Sequence, residues 1–118
     1  MNEVVIIGAG PVGLLLACLL GQCGIKTLVL ERRIEPLAHS MAIGITPPSL
    51  KILNRLDLSL DFVAKGVQVR ECVVHGLSGV LGKVTWREIE DEHRFILSLP
   101  QVTTIGLLKQ KVTDFPSV

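Results

Sequence analysis

The sequence predicts an α/β fold: a strand, a helix and a second strand in one parallel unit, followed by an antiparallel β excursion. Three observations carry this. Residues 4–7 are apolar, β-branched and run straight into a glycine turn. Residues 11–23 form an uncharged helical run ahead of a second apolar strand at 26–30. Beyond Gly66, partial alternation and turn residues replace the helical spacing.

Each element has a local cause. Pro11 suits a first helical turn, where a missing N–H costs little. Gly24 is the expected residue just past the helix end. Residues 32–40 read as a polar connection containing Pro36, and 41–45 as a short extended piece. Pro47-Pro48-Ser49 opens a helix running to about residue 56, with Leu50, Leu53 and Leu56 on one face. Strands are expected at 67–74, 80–86 and 94–99, joined by a turn at 76–79 and a charged turn at 88–93, as an antiparallel meander. Pro100 precedes a helix over 101–112, with Ser98 or Leu99 as its expected cap, and the 114–118 tail is expected to fray.

The first unit has a specific chemical use. Gly8, Gly10 and Gly13 fill a GxGxxG pattern directly after the first strand, and Glu31 ends the second. Gly8 allows a tight turn out of the strand. Gly10 lets a diphosphate approach the backbone, and Gly13 lets the helix pack closely on the strand. The helix amino end offers N–H groups and a partial charge of about +0.5. Glu31 can accept hydrogen bonds from adenosine ribose hydroxyls, and a carboxylate there disfavours a 2′-phosphate. The unit therefore reads as a Rossmann-type βαβ dinucleotide-binding unit.

Composition narrows the alternatives. At 118 residues the chain is at most one domain, and its formal charge of +1 gives no reason to expect nucleic acid or an anionic membrane. Three cysteines without framework spacing suit a reducing cytoplasm, with Cys18 and Cys23 read as small core residues. His39, His75 and His93 are scattered, and no metal-ligand spacing occurs. Trp86 reads as strand packing. The uncharged run from residue 4 to 25 is long enough to span a bilayer. Its flank lacks positive charge, a glycine turn interrupts it, and a β-rich pattern follows, so a membrane anchor or signal sequence is disfavoured.

The segments VVIIGAGPVGLLLACLL, LVLERR, AIGITPPSLKILNRLDL and LPQVTTIGLLKQKV resemble the FAD-dependent aromatic hydroxylases, the group A flavoprotein monooxygenases. The likeness runs along almost the whole chain but covers only the first quarter or third of a typical family member. It implies that residues 1–118 are the amino-terminal part of an FAD-binding domain, with 66–99 an antiparallel segment of the substrate region. It implies FAD as cofactor and NAD(P)H as electron donor. The cofactor-binding set carried over is Gly8, Gly10, Pro11, Val12, Gly13, Glu31, Arg32 and Gln101, with Arg32 near the adenosine and Gln101 on the flavin side. No catalytic residue is carried over.

The chain departs from the family pattern. Met41 stands where an arginine usually reaches the FAD phosphates, and Ile105-Gly106 stand where a Glu-Arg pair is usual. The family's later Asp-Gly and Gly-Asp segments are not in this sequence. The fold is therefore expected to be incomplete relative to the family and not competent alone. With 48% hydrophobic residues, the chain is expected to form a homo-oligomer or to need a complementing chain. An NAD-binding dehydrogenase domain and a non-catalytic interaction module remain as alternatives.

Overall fold

A computed structural model describes residues 1–35 and 41–118; the expectations for Pro36 and His39 lie outside the described residues. The elements are β1 (Val4–Ile7), α1 (Pro11–Gln22), β2 (Thr27–Leu30), β3 (Gly44–Ile45), α2 (Pro47–Asn54) and α3 (Ser59–Lys65). They continue with β4 (Val67–Val69), β5 (Glu71–Gly76), β6 (Gly79–Thr85), β7 (Ile96–Ser98) and α4 (Gln101–Val112). The chain divides into two compact units, Met1–Ala42 with Pro100–Val118, and Ile43–Leu99.

In the first unit β1 and β2 pair in parallel, from Val4 opposite Thr27 to Ile7 opposite Leu30. The connecting helix α1 starts at Pro11 and closes on Gly24 in the left-handed region, at φ +72°. Ile6, Leu14, Ala17, Cys18 and Leu108 are buried, and α1 packs against α4. Burial pushes the Cys18 thiol up to about 11, and its Sγ lies 3.7 Å from the Leu108 carbonyl oxygen it faces. Cys23, expected in the core, is exposed because it lies just past the last turn of α1. Val5, Ile7, Leu28 and Leu30 share the opposite sheet face and are all exposed, Ile7 at 87%.

The 114–118 tail is docked, not frayed. A Cβ placed on Gly21 would meet the Phe115 side chain at 2.7 Å, so the glycine provides the space for that ring. Ser117 accepts the Thr27 N–H at 2.8 Å, and Phe115 accepts the Val118 N–H at 3.1 Å. An aromatic anchor and a strand-edge donor hold a segment that its position in the chain marked as loose. Helix α4 carries no side-chain cap: Pro100 occupies the cap position and its carbonyl accepts the Thr103 and Thr104 N–H groups. Neither expected cap serves, since Ser98 belongs to β7 and Leu99 donates its N–H to Ile43.

In the second unit β7 lies between β3 and β4, antiparallel to both. Leu50, Leu53, Leu56, Leu58, Phe62, Phe95, Leu97 and Leu99 are buried. Helix α2 ends at Asn54, short of residue 56, and a left-handed Asp57 at φ +58° redirects the chain into α3. The sequence reading missed α3. It has seven residues, fewer than two full turns, and of these Ser59 and Phe62 are buried.

The expected three-stranded meander is not formed. β5 and β6 make a separate hairpin through the turn at Leu77-Ser78, with a register shift at Val74/His75. Trp86 lies one residue beyond β6, half-buried, and its backbone N–H donates to the Arg70 carbonyl oxygen at 3.0 Å. Strand β7 instead pairs where Leu97 can be fully buried, and Gly66 leaves room for that side chain. The hairpin strands are exposed on both faces and provide no such cover.

Candidate functional site

The glycines of the turn serve three separate geometric needs. Gly8 has φ +108°, a backbone conformation that side chains disfavour. Gly13 sits under the turn, where a Cβ would collide with the carbonyl of Gly8. Gly10 needs neither exemption: its φ of −77° and ψ of −178° suit any residue, and a Cβ there would meet nothing within 4 Å. What Gly10 preserves is open space over the backbone.

Glu31 fastens the turn to the end of β2. Its Oε2 accepts the Ala9 N–H at 2.8 Å and its Oε1 accepts the Arg33 N–H at 2.9 Å. Backbone donors, Arg33 first, then Ala9 and Arg32, hold the carboxyl below the usual glutamate range. The carboxylate is exposed, and each of its oxygens has a second lone pair. Leu14 makes its helical bond to Gly10 at 2.9 Å, so the N–H groups of Val12 and Gly13 lie in the first turn, without an intrahelical acceptor.

A cavity of about 530 Å³ opens over this turn, within the size range of small-ligand sites. One wall is Gly8, Ala9 and Gly10 with residues 31–35. The other is a face of α4: Gln101, Val102, Ile105, Gly106 and Lys109. Arg32, Arg33 and Lys109 against Glu31 and Glu35 give the lining three positive and two negative side chains, a net of +1. That bias suits an anionic group.

Of the eight candidate residues, Gly8, Gly10, Glu31, Arg32 and Gln101 line this cavity. Pro11 and Val12 begin α1 outside the lining, with Val12 81% exposed, and Gly13 packs beneath. Ala9, Arg33, Val102 and Lys109, outside the predicted set, also line the cavity. A signal for the last two existed: positions 101, 102, 105, 106 and 109 recur at helical spacing and share one face. Ile105 and Gly106, noted as departures, prove to be wall residues, one apolar and one bare. Met41, the first departure named, is exposed and donates its N–H to the Gln101 side chain.

A sequence profile of the family described as "FAD binding domain" matches residues 1–117. The chain belongs to that family. It is 38% identical over 113 residues to a 12-dehydrotetracycline 5-monooxygenase/anhydrotetracycline 6-monooxygenase of Streptomyces rimosus, covering 95% of this chain and 22% of that protein. It is 34% identical over 114 residues to a rifampicin monooxygenase of Streptomyces venezuelae, covering 96% of this chain and 23% of that protein. The structure of p-nitrophenol 4-monooxygenase PnpA from Pseudomonas putida DLL-E4 superposes with a TM-score of 0.90 at 27% identity, over 100% of this chain and 31% of that one. The chain thus spans 22% to 31% of these relatives' length. Neither an NAD-binding dehydrogenase nor an interaction module gains support from these matches.

FAD is the cofactor of this family. Gly8 and Gly10 leave bare backbone open to the cavity, and Glu31 presents an exposed carboxylate acceptor beside it. Gly106 exposes helix backbone to the same space. Gly106→Leu is expected to stabilise α4 by roughly 0.8 kcal/mol through helix propensity. The same leucine would fill the cavity and weaken FAD binding by at least about tenfold, an ordinary cost of misfit in a pocket. A thermal melt and a fluorescence titration on one preparation check the opposite signs.

Proposed function

We infer that the chain is the adenosine-diphosphate-holding part of a flavoprotein monooxygenase that uses NAD(P)H and hydroxylates an aromatic or polyketide-like substrate. The observation that carries this reading is the glycine turn, fastened by Glu31, at the floor of a positively biased cavity. In this reading residues 4–30 act as a Rossmann-type βαβ unit. Gly8 and Gly10 admit the diphosphate, and Pro11, Val12 and Gly13 form the helix mouth that faces it. Glu31 accepts the ribose hydroxyls on its second lone pairs, Arg32 packs near the adenosine, and Gln101 lies toward the flavin. Bound flavin supplies the redox and oxygen chemistry; the residues here bind and orient it.

Hydroxylation is assigned to a longer assembly, in keeping with the share of each relative that the chain matches. The uncovered sheet face of Val5, Ile7, Leu28 and Leu30 supports association with a second copy or a complementing chain. Residues 66–99 are read as part of the substrate region. The location is read as cytoplasmic, in keeping with three free thiols. Among the described residues, no helix is long and apolar enough to cross a membrane.

Gly10→Val should keep the fold, because its backbone angles suit valine and no atom lies in the way, yet abolish FAD binding. Saturable binding by that variant at wild-type affinity would contradict the reading. Glu31 titrates below the usual value of about 4.3, so what its carboxylate contributes to stability and ribose binding is present above that value. It is lost as pH falls through the lowered folded value. FAD affinity should therefore be flat from about pH 8 to about pH 5 and fall in stronger acid. Glu31→Gln should weaken it roughly tenfold at neutral pH and flatten the acid limb, the scale of a lost charged hydrogen bond. Light scattering should find the purified chain larger than a monomer; a monodisperse, cooperatively melting monomer would refute the association.

A further inference from the structure

The amide of Gln101 has its oxygen committed to backbone. Oε1 accepts the Met41 N–H at 2.9 Å and the Ala42 N–H at 3.2 Å. Both partners are obligate donors, so the atom facing them is the oxygen, whatever else the residue touches. The contact joins positions 59 and 60 residues apart in sequence. It sits where α4 begins, at a residue that also lines the cavity.

Met41 makes this contact consequential. A thioether neither donates a hydrogen bond nor carries charge, so residue 41 cannot be held by a side-chain interaction with a phosphate. Its backbone N–H can be held, and Gln101 does so. Pro100, fixed at φ −56°, sets the start of α4 and thereby the root of the Gln101 side chain.

We propose that Gln101 is a positioning residue: its carbonyl oxygen fixes the backbone of residues 41–42 against the first turn of α4, and so sets the shape of the cofactor cavity at that end. This deepens, and for its effect on affinity rests on, the FAD-binding reading above. The role needs an acceptor at Oε1 and does not need the side chain to donate to the cofactor.

Gln101→Leu and Gln101→Glu separate the two. Leucine keeps the volume and removes the acceptor; glutamate keeps the acceptor and removes the amide donor. Backbone hydrogen exchange on the whole chain, without cofactor, should show the Met41 and Ala42 amides exchanging at least about tenfold faster in Gln101→Leu than in wild type. Gln101→Glu should restore wild-type protection. FAD titration should give a dissociation constant about tenfold higher for Gln101→Leu. Unchanged exchange at residues 41–42 in Gln101→Leu, or failure of Gln101→Glu to restore protection, overturns the proposal. A wild-type chain that binds no FAD but shows the same exchange pattern overturns the cofactor reading and leaves the tether standing.

Discussion

The hydrogen bond from the Ala9 N–H to the Glu31 carboxylate is the constraint on which the site depends. It crosses 22 residues and ties the turn after β1 to the end of β2. It can form only because the strands are parallel and in register, with Ile7 opposite Leu30 and the Gly8 N–H donating to Leu30 at 2.7 Å. That register in turn requires α1 to cross tightly over the sheet, which Gly13 allows by having no Cβ to strike Gly8. One local contact thus reports on the strand pairing, the helix crossing and the open backbone of the turn together.

The same logic explains how much of the molecule was legible in its sequence. The first strand was read with its observed bounds, and both helices flanking the cavity to within a residue, because periodicity, proline and glycine all agreed there. The five candidate residues that line the cavity were found through spacing or through resemblance. What failed was non-local. The meander was inferred from short connections, but β7 pairs according to where Leu97 can be buried, and no window around residues 94–99 contains that information. The docked tail has the same origin, since the slot for Phe115 is Gly21, far away in sequence. Short α3 has fewer than two turns over which a helical spacing could show.

The departures from the family pattern gain physical content from their positions. Ile105 and Gly106 make one stretch of cavity wall apolar and open, while Lys109, on the same helix face, returns positive charge to it. Met41 leaves the backbone as the means of holding its segment, through Gln101. The glycine turn and its acid stand beside them in the same unit. The β5–β6 hairpin belongs to the second unit. It is exposed on both faces, and its register carries a surface pair, Lys83 to Glu71 at 2.9 Å. Such exposed pairs contribute little to stability, and an isolated two-stranded ribbon is marginal in water.

The most direct measurement is a nuclear magnetic resonance titration of the isotopically labelled chain with ADP, the charged half of the cofactor without its flavin. The largest backbone amide shifts are expected at Ala9, Gly10, Val12, Gly13 and Arg33, saturating together along one binding curve. Saturable shifts confined to residues 71–85, with the glycine turn and Arg33 silent, would contradict that expectation.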